Sequence, residues 1–279
     1  MHIIGTSNRP DHPLAVVIGA GGLGMAMARR LALSHRILLA DINGTAAEER
    51  AAMIRSEGGD VTAIACDSTS LASTTDLARA VGEQGGFRAL LYVAGLSPAT
   101  GNFRDIMRVN LMGAARVCEA LLPHASQGSA AVLISSLGAA HVQPSPEIKA
   151  ILAAASAEDL AEKLEAALGD QAITGIAYPY SKWGLNQYAR RQAAAWGTRG
   201  ARILTLSPGM IATPMGAREF ARSATKKQMY DKTPLQRECT MLEIADLAEF
   251  LVSPRASFIS GTDILADGGL TATLKEEAY

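Results

Sequence analysis

Short apolar runs alternate with longer segments of helical spacing along this chain, and that rhythm constrains the fold more than any single residue. The runs are LAVVIG (14–19), RILLAD (36–41), VTAIACD (61–67), RALLYVAG (88–95), AAVLISS (130–136), RILTLSPG (202–209) and TDILADGG (262–269). Runs of this length, rich in Val, Ile and Leu and bounded by glycine or polar residues, predict strands buried on both faces. Between them lie helical patterns: GLGMAMARRLAL after the first run, 45–58 entered at Thr45 and left at Gly58, 70–84, and roughly 102–124. A further helix over 240–252 opens with Thr240 and Glu243 at the spacing of a capping box. Strand and helix repeated in this way predict an α/β fold: a doubly wound, seven-stranded parallel sheet with helices on both faces. No internal boundary or repeat divides the chain, so a single domain over 1–279 is expected. Such sheets bind ligands at the carboxyl ends of their strands.

Composition narrows the partners. The chain has 279 residues, 48% hydrophobic and 19% charged, with a net charge of −1. That is enough apolar material for a core, and there is no basic excess to suggest nucleic acid or an anionic membrane. A small molecule or a second copy of the chain is the expected partner. The three cysteines, Cys66, Cys118 and Cys239, have neither metal-site nor disulfide-framework spacing and read as free thiols. MHIIGTSNRPDHP is polar and proline-broken, unlike a secretory leader, and no apolar run approaches the ~18 residues of a membrane span. A cytoplasmic protein is expected.

One stretch breaks the rhythm. Residues 141–176 separate the fifth strand from the next helix. They contain AEDLAEKLEAAL, with Ser156 as the expected N-cap and Asp159 three residues on. Two readings stay open: a surface insertion, or a lid or interface element.

VVIGAGGLGMA holds Gly19, Gly21 and Gly24 at the spacing GxGxxG, with Gly22 as an extra glycine. Its position between a strand and a helix makes it a candidate phosphate loop, in which glycines let backbone N–H groups approach a pyrophosphate at a helix N-terminus. This is the Rossmann-type arrangement. Asp41 ends the second strand, where a carboxylate accepts ribose hydroxyls and repels a 2′-phosphate. No Lys or Arg lies in the loop or at 42–46 to receive such a phosphate. The expected cofactor is therefore NAD, with NADP less favoured.

In AYPYSKWG (177–184), Tyr178 sits four residues before Lys182 and Tyr180 sits two before it. On a helix the first pair shares a face and the second does not. Spacing alone leaves open an acid/base pair or one turn of an ordinary helix.

Together these features resemble the short-chain dehydrogenase/reductase family. The resemblance runs over about 14–270 and rests on GAGGLG, Asp41, Asp67, VAG (93–95), Asn110 in RVNLMG, ISS (134–136), YPYSK (178–182), SPGMIATP (207–214) and SGTDILADGG (260–269). The 141–176 segment and the stretches VLISS and RQAAAWGTRGAR are most similar to bacterial 3-alpha-hydroxysteroid dehydrogenase/carbonyl reductases. The resemblance implies a catalytic set of Tyr178, Lys182, Ser136 and Asn110, with Ser135 the less favoured serine. It implies cofactor contacts from Gly19, Gly21, Gly22, Leu23, Gly24, Asp41, Asp67, Ala94, Gly95 and Lys182. It adds a nicotinamide loop of Pro208, Gly209, Ile211 and Thr213, and a homodimer or homotetramer. Two positions depart from the family. Ile18 stands in place of a threonine before a shorter glycine loop, and Tyr92-Val93 stand in place of two asparagines.

The residue types suit alcohol oxidation. A free tyrosine has a pKa near 10, too high for a good base at neutral pH, and a neighbouring ammonium favours the phenolate. Ser136 is expected to hydrogen-bond the substrate oxygen, and Asn110 to hold a water that relays protons to Lys182. His124 and His141 are expected in loops away from the chemistry. Met210, Met215 and Met229 are expected to line an apolar pocket or the core. The activity expected is hydride transfer between NAD(H) and a secondary alcohol or ketone, with a steroid or another bulky apolar carbonyl as the candidate substrate. The alternatives are NADP-dependent carbonyl reduction and a non-catalytic regulator that binds NAD(H).

Overall fold

Alternate side chains of LAVVI enter different cores, which is what a strand covered on both faces requires. Leu14, Val16 and Ile18 join one apolar cluster, while Ala15 and Val17 join another. The computed structural model describes residues 11–213 and 224–276. Met215 and the first ten residues of MHIIGTSNRPDHP lie outside them.

The strands are β1 (Leu14–Ile18), β2 (Arg36–Asp41), β3 (Val61–Ala65), β4 (Phe87–Tyr92), β5 (Ala125–Ile134), β6 (Arg202–Pro208) and β7 (Asp263–Ala266). They form one seven-stranded sheet in the order β3-β2-β1-β4-β5-β6-β7, and every pairing is parallel. The described helices are α1 (Gly22–Leu31), α2 (Gly44–Ser56), α3 (Leu71–Glu83), α4 (Phe103–Met107), α5 (Ala114–Leu121), α6 (Pro146–Ala153), α7 (Leu160–Leu168), α8 (Thr174–Gly197), α9 (Ala224–Lys232), α10 (Met241–Val252) and α11 (Leu270–Glu276). Helices α1, α2 and α10 cover one face of the sheet; α3, α4, α5 and α8 cover the other. The doubly wound architecture expected from the sequence is the one observed.

Local differences have local causes. Helix α2 starts at Gly44, not Thr45, because the Asn43 side chain accepts the Ala46 N–H at 3.0 Å. The strands end earlier than their apolar runs, so Asp67, Gly95 and Ser136 lie in loops just beyond β3, β4 and β5. The helix expected over 102–124 is capped by Asn102 and interrupted by a π-helical segment, Arg108–Gly113, between α4 and α5.

The 141–176 stretch forms two helices rather than one. Ser145 caps α6 by accepting the Ile148 N–H, with Pro146 in the first turn. Ser156 is not the cap of α7. Its hydroxyl donates to Glu119, while Ala155 is buried and pins the intervening turn, so the helix starts after Asp159. Ile148, Leu152, Leu160 and Leu164 are buried in the same cluster as α4 and α8. Arg104 pairs with Glu165 and Arg108 with Glu162 across this seam. Exposed pairs of this kind each contribute little, so apolar burial holds the two helices down.

The tightest point is the turn from β1 into α1. Gly19 has φ +100°, and a Cβ there would lie 2.7 Å from the Ala94 nitrogen. A Cβ on Gly24 would lie 1.8 Å from the Gly19 carbonyl oxygen. A Cβ on Gly21 would meet nothing within 4 Å. Gly24→Ala is therefore expected to cost about 2–3 kcal/mol by urea denaturation, as overpacking does. Gly21→Ala is expected to cost only about 0.5 kcal/mol, the difference between glycine and alanine at an N-cap. Equal losses in the two variants would contradict this account of the turn.

Candidate active site

The sheet order puts β1 between β2 and β4, so chain connections leave in opposite directions and a crevice opens at their carboxyl ends. A cavity of about 850 Å³ fills it. Gly19, Gly21, Gly22, Leu23 and Gly24 form its floor, with Asp41, Asp67, Ala94, Gly95 and Thr213 around it. Gly21 is the N-cap of α1, and the space beside its Cα is open, so at that residue the start of a ten-residue helix faces the cavity uncovered. That cradle fits a dinucleotide diphosphate. Ile42, which is largely exposed, adds an apolar wall beyond Asp41. Among the described residues, none of those lining the cavity is Lys or Arg.

Asp41 is fixed before any ligand arrives. Its Oδ2 accepts the Ala20 N–H at 2.8 Å and its Oδ1 accepts the Asn43 N–H at 3.0 Å. Each carboxylate oxygen keeps a further acceptor site. Asp67 is held similarly: Oδ1 accepts from the Thr69 N–H at 2.8 Å and hydroxyl at 2.7 Å.

A smaller cavity of about 210 Å³ adjoins the first, and both are lined by Leu23, Val93, Gly95 and Leu96. Ser136, Tyr178 and Lys182 line it together, opposite Pro208, Gly209 and Ile211. Tyr178 and Lys182 lie one turn apart on α8, and the Lys182 ammonium is 5.8 Å from the Tyr178 ring centroid. Tyr180 packs against the apolar cluster and does not line this cavity. Lys182 is buried and donates to the Ile134 carbonyl at 2.8 Å. Desolvation lowers its pKa to about 8. The two serines separate by role. Ser135 is buried, and its hydroxyl donates to the Lys182 carbonyl at 3.2 Å. The Ser136 hydroxyl accepts the Gly138 N–H at 3.2 Å, which leaves its own proton available for a ligand.

Asn110 lies in the π segment and is fully buried. Its Oδ1 accepts the Leu96 N–H at 2.7 Å, and its Nδ2 donates to the Leu96 carbonyl at 3.0 Å and to the Ser181 hydroxyl at 3.2 Å. Ser181 in turn donates to the Tyr178 carbonyl at 2.7 Å. Asn110 therefore ties the loop after β4 to the tyrosine's turn of α8. A Cβ on Gly95 would lie 3.2 Å from Asn110 Oδ1 and 3.5 Å from Lys182 Nζ, so glycine there lets the two groups approach. The Tyr92 substitution supplies a support of its own. Its hydroxyl donates to the Val109 carbonyl at 2.7 Å and lies 3.0 Å from the Ser68 hydroxyl. Burial raises the Tyr92 pKa far above its ordinary value, so it stays a neutral donor.

The loop 208–213 closes the site. Gly209 approaches Asp267 so closely that a Cβ would lie 2.7 Å from its Cα. Ile211 forms an isolated bridge with Cys239, and Thr213 reaches the larger cavity. Met210 lines a separate cavity of about 200 Å³ behind this loop with Leu235, Cys239 and Leu247. His141 is exposed and lies 3.3 Å from the Thr271 hydroxyl, while His124 packs against α3 beside Gly82. Neither His lines the two joined cavities, and neither does any residue of 141–176. Sequence reasoning missed Ser68, Val109, Leu96 and Met241 as lining residues. Of these only Met241 carried a signal, since it directly follows the capping-box Thr240.

Comparison with known proteins agrees with this geometry. Residues 13–157 match the short chain dehydrogenase family, and residues 171–271 match the enoyl-(acyl carrier protein) reductase branch. The short-chain dehydrogenase/reductase bsc3 of Alternaria brassicicola is 32% identical over 269 residues, covering 94% of this chain and 97% of the relative. The 3-alpha-hydroxysteroid dehydrogenase/carbonyl reductase of Comamonas testosteroni is 32% identical over 202 residues, covering 70% of this chain and 76% of the relative. A 7-alpha-hydroxysteroid dehydrogenase solved with NADH and 7-oxo glycochenodeoxycholic acid superposes with a TM-score of 0.74 at 25% identity, covering 92% of this chain and 93% of that one. The parallel sheet, the glycine turn and these matches over almost the whole length lead to one conclusion: the chain belongs to the short-chain dehydrogenase/reductase family of oxidoreductases, which act on hydroxyl and carbonyl groups with a nicotinamide dinucleotide.

Proposed function

We propose that the chain interconverts a secondary alcohol and a ketone with NAD(H), on a bulky apolar substrate of the size of a steroid. The observation that carries this reading is that Ser136, Tyr178 and Lys182 line one pocket, and that this pocket opens into the glycine cradle. When bound, NAD supplies the acceptor or donor of the hydride. In this reading Gly19, Gly21, Gly22, Leu23 and Gly24 hold its diphosphate, Asp41 its ribose hydroxyls and Asp67 its adenine side. Ala94, Gly95, Pro208, Gly209, Ile211 and Thr213 enclose the nicotinamide half. Tyr178 exchanges the proton with the substrate oxygen, and Ser136 donates a hydrogen bond to that oxygen. The Lys182 ammonium favours the phenolate by its charge. Asn110 keeps the loop after β4 and the tyrosine's turn in register, which positions the water path to Lys182. The substrate class rests on the activities of the hydroxysteroid dehydrogenases to which the chain is similar and on the apolar side chains of Leu96 and Ile211 beside the pocket. We further infer a single domain working as a cytoplasmic homodimer or homotetramer. In this reading helices α6 and α7, which pack against α4 and α8, change the interface on that side. No described helix is long and apolar enough to cross a membrane.

Tyr178→Phe is expected to lower kcat by about 10²–10⁴-fold on a secondary alcohol, the range of general acid–base catalysis, while NADH still binds. Retained turnover would end the acid/base assignment. NADH is expected to bind at least about tenfold more tightly than NADPH, because Asp41 would oppose a 2′-phosphate. Asp41→Asn, which keeps an acceptor for the Ala20 N–H, should narrow that ratio in calorimetric titrations.

Lys182 adds a pH dependence to the stability of the cofactor-free protein. Its folded pKa of about 8 lies below the ordinary 10.5. Between those values the unfolded chain binds a proton that the folded chain has released, so this residue's contribution to stability rises with pH. Across the window, wild type should gain about 3 kcal/mol relative to Lys182→Met in urea unfolding. Parallel curves for the two proteins would contradict the burial of a charged Lys182.

A further inference from the structure

The strap between α9 and α10 joins two loops that both line the cofactor cavity. On one side it pairs with the loop 208–213: the Cys239 N–H donates to the Met210 carbonyl at 2.9 Å, and the Ala212 N–H donates to the Cys239 carbonyl at 2.8 Å. Two residues later it reaches the glycine turn. Met241 begins α10, lines the cavity, and brings its sulfur to within 3.0 Å of the place a Cβ would occupy on Gly22. The link between these contacts is short and doubly fixed. The Thr240 hydroxyl accepts the Glu243 N–H, and the Glu243 carboxylate accepts the Thr240 N–H at 2.8 Å. Arg237 grips the same carboxylate at 2.7 and 2.9 Å. Helix α10 packs in the same apolar cluster as α1, so the start of α10 has little freedom to move away from the turn.

We propose that Met241 contacts the bound dinucleotide at its diphosphate, and that the strap makes the grip on the diphosphate and the ordering of loop 210–213 a single event. This rests on the cofactor reading above. A half-buried thioether beside Gly22 keeps water from one side of the glycine turn and so strengthens the N–H dipoles that face an anion there. It also occupies space that an ordered ligand needs, so its position and the ligand's are linked. Because the Met241 backbone is two residues from Cys239, a ligand that settles Met241 also steadies the rungs at Met210 and Ala212. Those rungs hold the loop that carries Ile211 and Thr213.

ADP-ribose tests this, because it fills the diphosphate side and has no nicotinamide to touch Ile211. Met241→Ala is expected to weaken ADP-ribose and NADH about five- to tenfold each in calorimetric titrations, as loss of a partly buried apolar contact does, and to leave AMP within about twofold. Met241→Leu should bind as wild type, which separates apolar contact from damage to the fold. In hydrogen exchange, ADP-ribose should slow the Ala212 and Cys239 amides in wild type and not in Met241→Ala. Unchanged affinity in Met241→Ala, equal loss for AMP, or slowing that persists in that variant would overturn the proposal. Wild-type protein that binds neither NADH nor ADP-ribose would instead overturn the cofactor reading, and this proposal with it.

Discussion

The backbone contact between the β1–α1 turn and the end of β4 is the constraint on which the site depends. The Gly19 N–H donates to the Ala40 carbonyl at 2.7 Å, and the Val93 and Ala94 N–H groups both converge on the Ile18 carbonyl at 2.8 Å. Three strands are therefore locked together at the one place where the connections part. With so little separation, neither Gly19 nor Gly24 has room for a side chain. The crevice exists because the strands are tied at its floor while their loops leave in opposite directions. Asp41 belongs to the same knot through its bond to the Ala20 N–H, so the turn also aims the carboxylate that sets the polarity of the cavity.

What was legible in the sequence is what local physics determines. The unbroken apolar run LAVVI, the glycine spacing, and the four-residue step from Tyr178 to Lys182 each need only neighbouring residues to be read. The π segment is different. Nothing in RVNLMG announces it, because its surroundings are tertiary: the Tyr92 hydroxyl takes the Val109 carbonyl, and Gly113 must lack a Cβ where Ser68 and Tyr92 approach within 3 Å. At position 92, where the family has an asparagine, the tyrosine reaches across to the helical segment that holds Asn110. Helix α6 was hidden for a similar reason. PEIKAILA is short, and its place is set by burial of Ile148 and Leu152 against α8. The choice of Asp159 over Ser156 at the start of α7 follows from a side chain on another helix, Glu119, that no local pattern reveals.

Lys182 shows what a buried charge beside the pocket costs the fold. A buried ammonium that donates to the Ile134 carbonyl is costly, and its lowered pKa expresses that cost. The fold retains it by anchoring the backbone on both sides. Ser135 holds the Lys182 carbonyl, and Ser181 links Asn110 to the Tyr178 carbonyl. The neighbouring apolar residues Ala177, Leu185, Tyr188 and Ala189 bury the helix that presents it. Perturbed groups of this kind concentrate where chemistry is done.

The remaining division of labour follows from which elements are rigid. Tyr178 and Lys182 stand on a long helix packed against the sheet, and Ser136 follows directly on a strand, so the three polar groups inherit the precision of the core. The opposite wall of the same pocket comes from loops: Leu96, Ser97 and Thr100 after β4, and Pro208 to Ile211 after β6. Loops tolerate changes of sequence and length that core elements do not. Under the proposed function, proton transfer falls to the part of the structure that cannot move far, and recognition of the substrate to the part that can be altered without disturbing it. The 141–176 helices fit this division, because they add to the core on the α4–α8 flank and leave the mouth of the pocket untouched.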